Sequence, residues 1–352
     1  MLVQLQYLRG IAALSVVYFH AVLQLYNISP GTTPAFPVFG EFGVDLFFVL
    51  SGFVMWYTTA GRRTTTLAFY GRRIARIVPL YWSITILAAA IALVAPSLLK
   101  STRFDLPHLF ASLTFIPWLN PAGLAGSEIT PVVVPGWTLN YEMYFYAVFG
   151  LLLLAPERWR IPALAGIVLL VGLACRLLPD STAGRFYGNP IVFEFVAGAA
   201  LAHAYVRGWR LLRNVAILAM VLGLAIPVIA DLYDLERFRA ILFGVPAMGV
   251  LYGALSLDWS GKPWLAPLRA IGDASYSLYL THVFVLAGGR VLFTHLPEAV
   301  RTPSLFLVLA IAVSAAVALA VYRFFELPVD RALRNIASRP LSRVRNTGLS
   351  SL

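Results

Sequence analysis

The chain has 352 residues, of which 60% are hydrophobic and 12% charged, with 27 basic residues against 16 acidic and a net charge of +11. Globular proteins carry about 25% charged residues. The composition therefore excludes a disordered chain and an ordinary water-soluble enzyme, and points to a polytopic membrane protein whose segments face lipid or one another.

A spanning helix needs about 20 mostly apolar residues. Ten runs qualify, at about 5–26, 42–60, 74–96, 138–155, 160–178, 189–206, 212–230, 238–257, 271–292 and 304–325. They predict an all-α integral membrane protein: a ten-helix membrane domain over 1–326 and a short basic tail over 327–352. The first run is too long for a cleavable signal and leads into further apolar sequence. Most connections are short and carry Pro, Gly, Asp and Arg. The exception, about 97–137, holds Pro107, Pro117, Pro121, Pro131 and Pro135 with Phe115 and Trp118; it reads as a re-entrant or substrate-facing loop. Cys175, the single cysteine, can form neither an internal disulfide nor a thiol–metal cluster. An even number of spans puts both termini on one side. That side collects 18 Lys and Arg against 8 on the other, so the positive-inside rule places both termini in the cytoplasm. The cations cluster at the ends of apolar runs and form no soluble basic face, so nucleic acid is not an expected partner.

Ionisable groups inside spans are costly and mark function. The first span holds Arg9 and His20. Eleven residues at 100° each bring them onto one helical face, about 16 Å apart along the axis. The second span begins with Gly43-Val44-Asp45-Leu46-Phe47-Phe48-Val49-Leu50-Ser51-Gly52-Phe53, and the fourth with Pro135-Gly136-Trp137-Thr138-Leu139-Asn140-Tyr141-Glu142. Both enter from the outer side, so His20, Asp45 and Glu142 are expected at similar depth. A carboxylate beside an imidazole holds its tautomer and stabilises the imidazolium, which makes these three the candidate catalytic residues. On the cytoplasmic side, Arg72-Arg73-Ile74-Ala75-Arg76 sets Arg73 and Arg76 three residues apart on one face, an arrangement suited to phosphate as well as to membrane anchoring. His108, His203 and His295, with Glu194 and Asp273, receive no role. No H-E-x-x-H or similar local motif occurs, so no catalytic metal is expected.

These motifs together resemble the membrane acyltransferase-3 family, specifically its exopolysaccharide-acetylating members. The resemblance rests on Leu8-Arg9-Gly10-Ile11-Ala12-Ala13 with His20, on Gly43 to Phe53, and on the Arg-x-x-Arg of Arg73 and Arg76. It extends to Trp137-Thr138-Leu139 with Glu142, and to Ser275-Tyr276-Ser277-Leu278-Tyr279-Leu280-Thr281-His282. It implies a ten-helix fold in the bacterial inner membrane that transfers an acyl group, usually acetyl, from cytoplasmic acetyl-coenzyme A to a hydroxyl of an outward-facing or lipid-linked glycan. On that expectation Arg73 and Arg76, with Arg72, hold the coenzyme phosphates, and Arg9 lines the channel. His20 acts as general base or takes the acyl group, oriented by Glu142 or Asp45. Trp137, Tyr141, Tyr144 and Tyr146 form an aromatic wall for a sugar. His282 lies beside the tunnel, where substrate contact, catalysis and a structural role all stay open. Polysaccharide biosynthesis machinery is the expected protein partner. Composition alone also fits a polytopic transporter, or a non-catalytic subunit for polysaccharide export.

Overall fold

The computed structural model describes residues 2–28, 40–123, 128–233, 235, 238–259 and 262–337. Arg237, and the distal tail with Arg339, Arg343 and Arg345, lie outside the described residues. Each of the ten predicted spans is helical. In chain order the helices are α1 (Val3–Ile28), α2 (Phe42–Thr59), α3 (Thr66–Val94), α4 (Leu106–Leu113), α5 (Trp137–Leu152), α6 (Glu157–Cys175), α7 (Thr182–Tyr187), α8 (Val192–Val206), α9 (Arg213–Leu232), α10 (Val245–Ser256), α11 (Ala266–Asp273), α12 (Ser275–Thr294), α13 (Pro303–Val321) and α14 (Leu327–Ala337). No strand occurs among the described residues; the one β-bridge joins Leu119 to Ile129. Eight helical stretches are long and apolar enough to cross a membrane. The fourth and eighth predicted spans are shorter. α5 has 16 residues, about 24 Å at 1.5 Å per residue against a hydrocarbon core of about 30 Å. Its sequence interrupts the apolar run with Asn140, Glu142 and three tyrosines. The eighth is a 12-residue α10 extended by a π-helical turn, Ala240–Gly244. A second π-helical turn, Tyr322–Glu326, joins α13 to α14. π turns recur at functional sites because they re-aim side chains, and both of these lie beside buried charges.

α1 packs against α2, α11, α12 and α13, while α2 packs against α8 and α10. The α2–α8 crossing depends on two glycines. A Cβ on Gly52 would lie 1.9 Å from the Phe195 carbonyl oxygen, and one on Gly198 would lie 2.0 Å from that of Val49. With no hydrophobic drive between helices in lipid, such close backbone approach is what holds them. The spans alternate in direction. At the end carrying the chain's N terminus, the Gly61 amide donates to Glu157 (2.9 Å), and Thr66 Oγ1 to the Gly150 carbonyl (2.9 Å). At the far end, Arg290 donates to the Leu98 carbonyl (3.0 Å), tying α12 to the loop after α3.

The described residues of the long 97–137 connection form a folded cap on that far end. Asp105 caps α4 through the His108 amide (2.8 Å). His108 is buried, with Nε2 2.8 Å from the Thr130 carbonyl, and Asn120 donates to Ser101 O (3.1 Å) and Thr130 Oγ1 (3.0 Å). Burial pushes the His108 imidazole below its ordinary pKa, because the charged form loses its water.

Candidate active site

His20 projects from α1 and His282 from α12. Their rings lie 4.9 Å apart, with His282 Nε2 3.3 Å from His20 Nδ1. His282 is fully buried and His20 partly open. The neighbours fix the tautomers of the neutral pair. His282 Nδ1 lies 3.0 Å from the Leu278 carbonyl, which can only accept, so Nδ1 carries the hydrogen and Nε2 becomes an acceptor. His20 Nδ1 then faces two acceptors, His282 Nε2 and the Val16 carbonyl at 2.9 Å, so it too carries its hydrogen. Among the described residues nothing bonds His20 Nε2, whose lone pair is left bare.

Next to this pair runs a cavity of about 890 Å³, counting the space at its mouth. Arg9, Arg73 and Arg76 line it on the N-terminal side, and Ser51, Glu142 and Tyr146 line its middle. Glu142 Oε1 accepts from Ser51 Oγ (3.2 Å) and from the Tyr146 hydroxyl. The Arg73 guanidinium lies 5.4 Å from the ring centres of both Phe69 and Tyr146 and donates to Thr58 (3.3 Å). Three cations thus face one carboxylate. Arg9 and Arg76 also line a second cavity, about 680 Å³, shared with Asp273, Glu326, Asp330 and Arg334 near the N-terminal end. There three arginines face three acids; Arg9 and Arg76 belong to both cavities, so the two together hold four arginines and four acids, with Arg73 the cation confined to the first. Phe47 and Tyr279 close that cavity toward the histidines. Both line it, their rings are 5.8 Å apart, and Tyr279 lies 6.2 Å from the His282 ring. The Tyr279 hydroxyl is anchored to Pro135 O (2.8 Å) and Thr138 Oγ1 (2.9 Å).

Asp45 is fully buried on α2, and both its oxygens are taken by Arg239, at 2.8 and 3.3 Å. Arg239 also pairs with Glu41, which lies within electrostatic reach of His20. The Asp45 carboxyl faces that of Glu194 on α8.

The acyltransferase domain family matches residues 2–323. The chain belongs to this acyltransferase family. It is 38% identical over 255 residues to the exopolysaccharide production protein ExoZ of Rhizobium meliloti (strain 1021), spanning 70% of this chain and 77% of ExoZ. It is 27% identical over 319 residues to the acyltransferase MdmB of Streptomyces mycarofaciens, spanning 80% of this chain and 78% of that protein. It is 25% identical over 363 residues to the peptidoglycan O-acetyltransferase OatA of Listeria monocytogenes serovar 1/2a, spanning 92% of this chain and 55% of OatA. No solved structure matches it. With its apolar helices, the chain is a multi-pass membrane acyltransferase.

In this acyltransferase the predicted residues fall into three groups. Arg9, Arg73, Arg76, Glu142 and Tyr146 share the central cavity. His20 pairs with His282, whose side chain is not among those lining the central cavity. Asp45 pairs with Arg239. The expectation that Asp45 or Glu142 orients His20 is corrected: neither carboxylate bonds to its ring, because Arg239 holds Asp45, and Ser51 and Tyr146 hold Glu142. Arg72 is exposed on α3 and is not among the residues lining the central cavity. The aromatic wall is likewise redrawn. Tyr141 turns away from the cavity, stacks on Phe186 at 4.0 Å and donates to its carbonyl (2.5 Å). Trp137 packs edge-on against Tyr141, and Tyr144 packs against Phe145 and Tyr187. Tyr146 alone of the four lines the cavity, with its hydroxyl committed to Glu142. Sequence reasoning gave no role to Glu41, Ser51, Arg239, Tyr279 or Glu326. For Arg239 a signal existed: it is a cation at the start of a run that begins on the same side as Asp45. Among the described residues, no group of three or more His, Cys, Asp and Glu side chains is placed to hold a metal ion.

Proposed function

We propose that this acyltransferase O-acylates a glycan, moving an acetyl group from coenzyme A on the cytoplasmic face to a hydroxyl beyond the opposite face, with His20 at the transfer point. The observation that carries the reading is the bare Nε2 of His20, held in one tautomer by His282 and separated from an arginine-lined cavity by Phe47 and Tyr279. The glycan acceptor follows the naming of ExoZ and OatA. The cytoplasmic N terminus follows the cation count, and with it the inner membrane.

Coenzyme A supplies an activated acyl thioester and anionic phosphates. The residues present fit such a donor: Arg9, Arg73 and Arg76 line one cavity together, and guanidinium is the group best shaped for phosphate. Tyr146 and Ser51 hold Glu142 aside, so its charge is spread over two donors. His20 Nε2 serves one of two roles. As a base it takes the acceptor hydroxyl proton while that oxygen attacks the acyl carbonyl; the C–S bond breaks and the thiolate leaves with the proton. As a nucleophile it takes the acyl group with loss of thiolate, then passes it to the hydroxyl oxygen as the N–acyl bond breaks and the hydroxyl proton goes to the released thiolate. Either way the His20 ring becomes cationic, and its Nδ1–H donates to the neutral His282 Nε2. His282 thus does the work that a carboxylate does in other histidine sites.

The test is mass spectrometry of surface glycans from cells carrying the wild type or His20→Ala. The wild type adds acetyl groups, and the variant inserts normally without adding them. Unchanged glycan acetylation in His20→Ala, Glu142→Ala and Arg73→Ala together sinks the reading. Hydroxylamine-labile label on His20, from protein quenched with labelled donor, selects the nucleophile over the base.

A further inference from the structure

The way from the arginine-lined cavity to His20 is interrupted at one level, by two rings. α2 lines the cavity along a stripe that includes Val44, Phe47, Phe48, Ser51 and Val54, a length of about 15 Å at 1.5 Å per residue. One end of the stripe lies a turn from Thr58, which accepts from Arg73. The other end meets α1. A Cβ on Gly43 would lie 2.5 Å from the Ala12 carbonyl oxygen, so the two helices touch there and leave no channel between them. Phe47 stands just before that contact. It packs against two hydrophobic clusters, the large one around the cavity and a small one formed by Ala13, Val17, Leu278 and Ala318. Val17 and Leu278 are one turn before His20 and His282 on their helices. Phe47 therefore stands between the cavity and the histidine pair. The opposing ring is Tyr279. The two meet edge to face with centres 5.8 Å apart, an aromatic contact that leaves no passage.

The two rings are held differently. Tyr279 is buried, and its hydroxyl is bonded to Pro135 O (2.8 Å) and Thr138 Oγ1 (2.9 Å). Phe47 has no polar anchor, and it is the one partly exposed side chain in the otherwise buried stretch 42–50. Rotation about its side-chain bonds moves the Phe47 ring between staggered positions, so Phe47 is the movable leaf and Tyr279 the fixed one. The geometry points to Phe47 as a specificity-determining residue: the gap it opens against the fixed Tyr279 ring sets the largest acyl group that passes from the cavity to His20, and that gap admits short acyl chains. The surroundings suit a steric choice. Val44, Phe48 and Leu139 line the cavity and are buried and apolar, and one methylene more or less in an apolar site is worth about 10- to 200-fold in selectivity. The inference rests on the proposed transfer at His20 and adds the acyl selectivity to it.

Competition between two donors reads the selectivity within one protein, so expression level cancels. Sealed inverted vesicles that retain the cell's own glycan receive equal amounts of acetyl- and butyryl-coenzyme A, and mass spectrometry counts the acyl esters on the glycan. The wild type is expected to favour acetyl over butyryl by about 100-fold or more, about tenfold for each of the two added methylenes. Phe47→Ala should bring that ratio below about tenfold, with Phe47→Leu in between. Tyr279→Phe keeps the ring, loses both anchors and should lower the ratio as well. Butyryl-coenzyme A should still inhibit acetyl transfer by the wild type, because it is stopped at the rings and not at the arginines. The inference is overturned by a wild type that transfers both groups equally, or by butyryl-coenzyme A that does not compete. It is also overturned by Phe47 variants that keep the wild-type ratio, or that melt normally and transfer neither group. If the ratio follows Phe47 while His20→Ala still transfers, the reading of His20 falls and the gate stands. If His20→Ala abolishes transfer and the wild type takes both groups equally, the gate falls alone.

Discussion

Two buried polar pairs lie toward the far end of the bundle, and they are finished differently. Asp45 and Arg239 form a closed pair: both carboxylate oxygens are bonded to one guanidinium, which also holds Glu41. His20 and His282 form an open pair, in which, among the described residues, every ring nitrogen has a neighbour except His20 Nε2. In a low-dielectric interior a polar group is satisfied or it is costly. The closed pair therefore reads as architecture. The open pair reads as chemistry, because one atom has been left to a substrate.

Substitutions in the two pairs should separate along that line. His20→Ala removes the open atom and is expected to lower acyl transfer by about 10²- to 10⁴-fold, with thermal unfolding of the solubilised protein unchanged. An effect on stability alone would erase the distinction. Asp45→Ala should do the reverse: it removes one of the two carboxylates that hold the half-buried Arg239 and costs about 1.5–3 kcal/mol of stability, read as lost expression and a lowered melting temperature. His282→Ala removes the acceptor of a charge-assisted hydrogen bond worth about 1.5–3 kcal/mol, so transfer should fall about ten- to a hundredfold at normal donor binding. His282→Gln, whose amide oxygen can accept, should recover part of that loss. Arg73→Ala, remote from both pairs, should raise the KM for acetyl-coenzyme A about tenfold and leave acceptor KM in place. The smallest effect is a pH effect on the far-end cap. Burial holds the folded His108 below its ordinary pKa of about 6.5. The unfolded cap therefore takes up a proton as pH falls through about 6.5 while the folded cap does not, so cap stability declines with acidification. Faster proteolysis of the 97–137 loop at pH 5 than at pH 8 reads this out, and His108→Gln should flatten it.

The sequence discloses the spans because lipid demands long apolar runs, and it discloses Arg9, Arg73, Arg76 and Glu142 because ionisable groups in such runs are few. It under-reports α5, whose Asn140, Glu142 and tyrosines serve the cavity rather than the bilayer. It also hides both pairs. Asp45 and Arg239 are 194 residues apart, and His20 and His282 are 262 apart. Depth along a helix was computable from the sequence, but rotation about the axis was not. Asp45 and His20, expected at comparable depth, bond to different partners. The Gly52–Gly198 contact decides much of this by setting how α2 meets α8, and a single chain's periodicity carries no sign of such pairing.

The central claim is that His20 transfers an acyl group delivered from the cytoplasmic face. Sealed inverted membrane vesicles, with labelled acetyl-coenzyme A outside and glycan acceptor inside, test it most directly. Wild-type vesicles should place label on the lumenal glycan, and His20→Ala vesicles should bind the donor equally and transfer none. Label on glycan at the wild-type rate with His20→Ala, or label only when the donor is lumenal, would contradict the account.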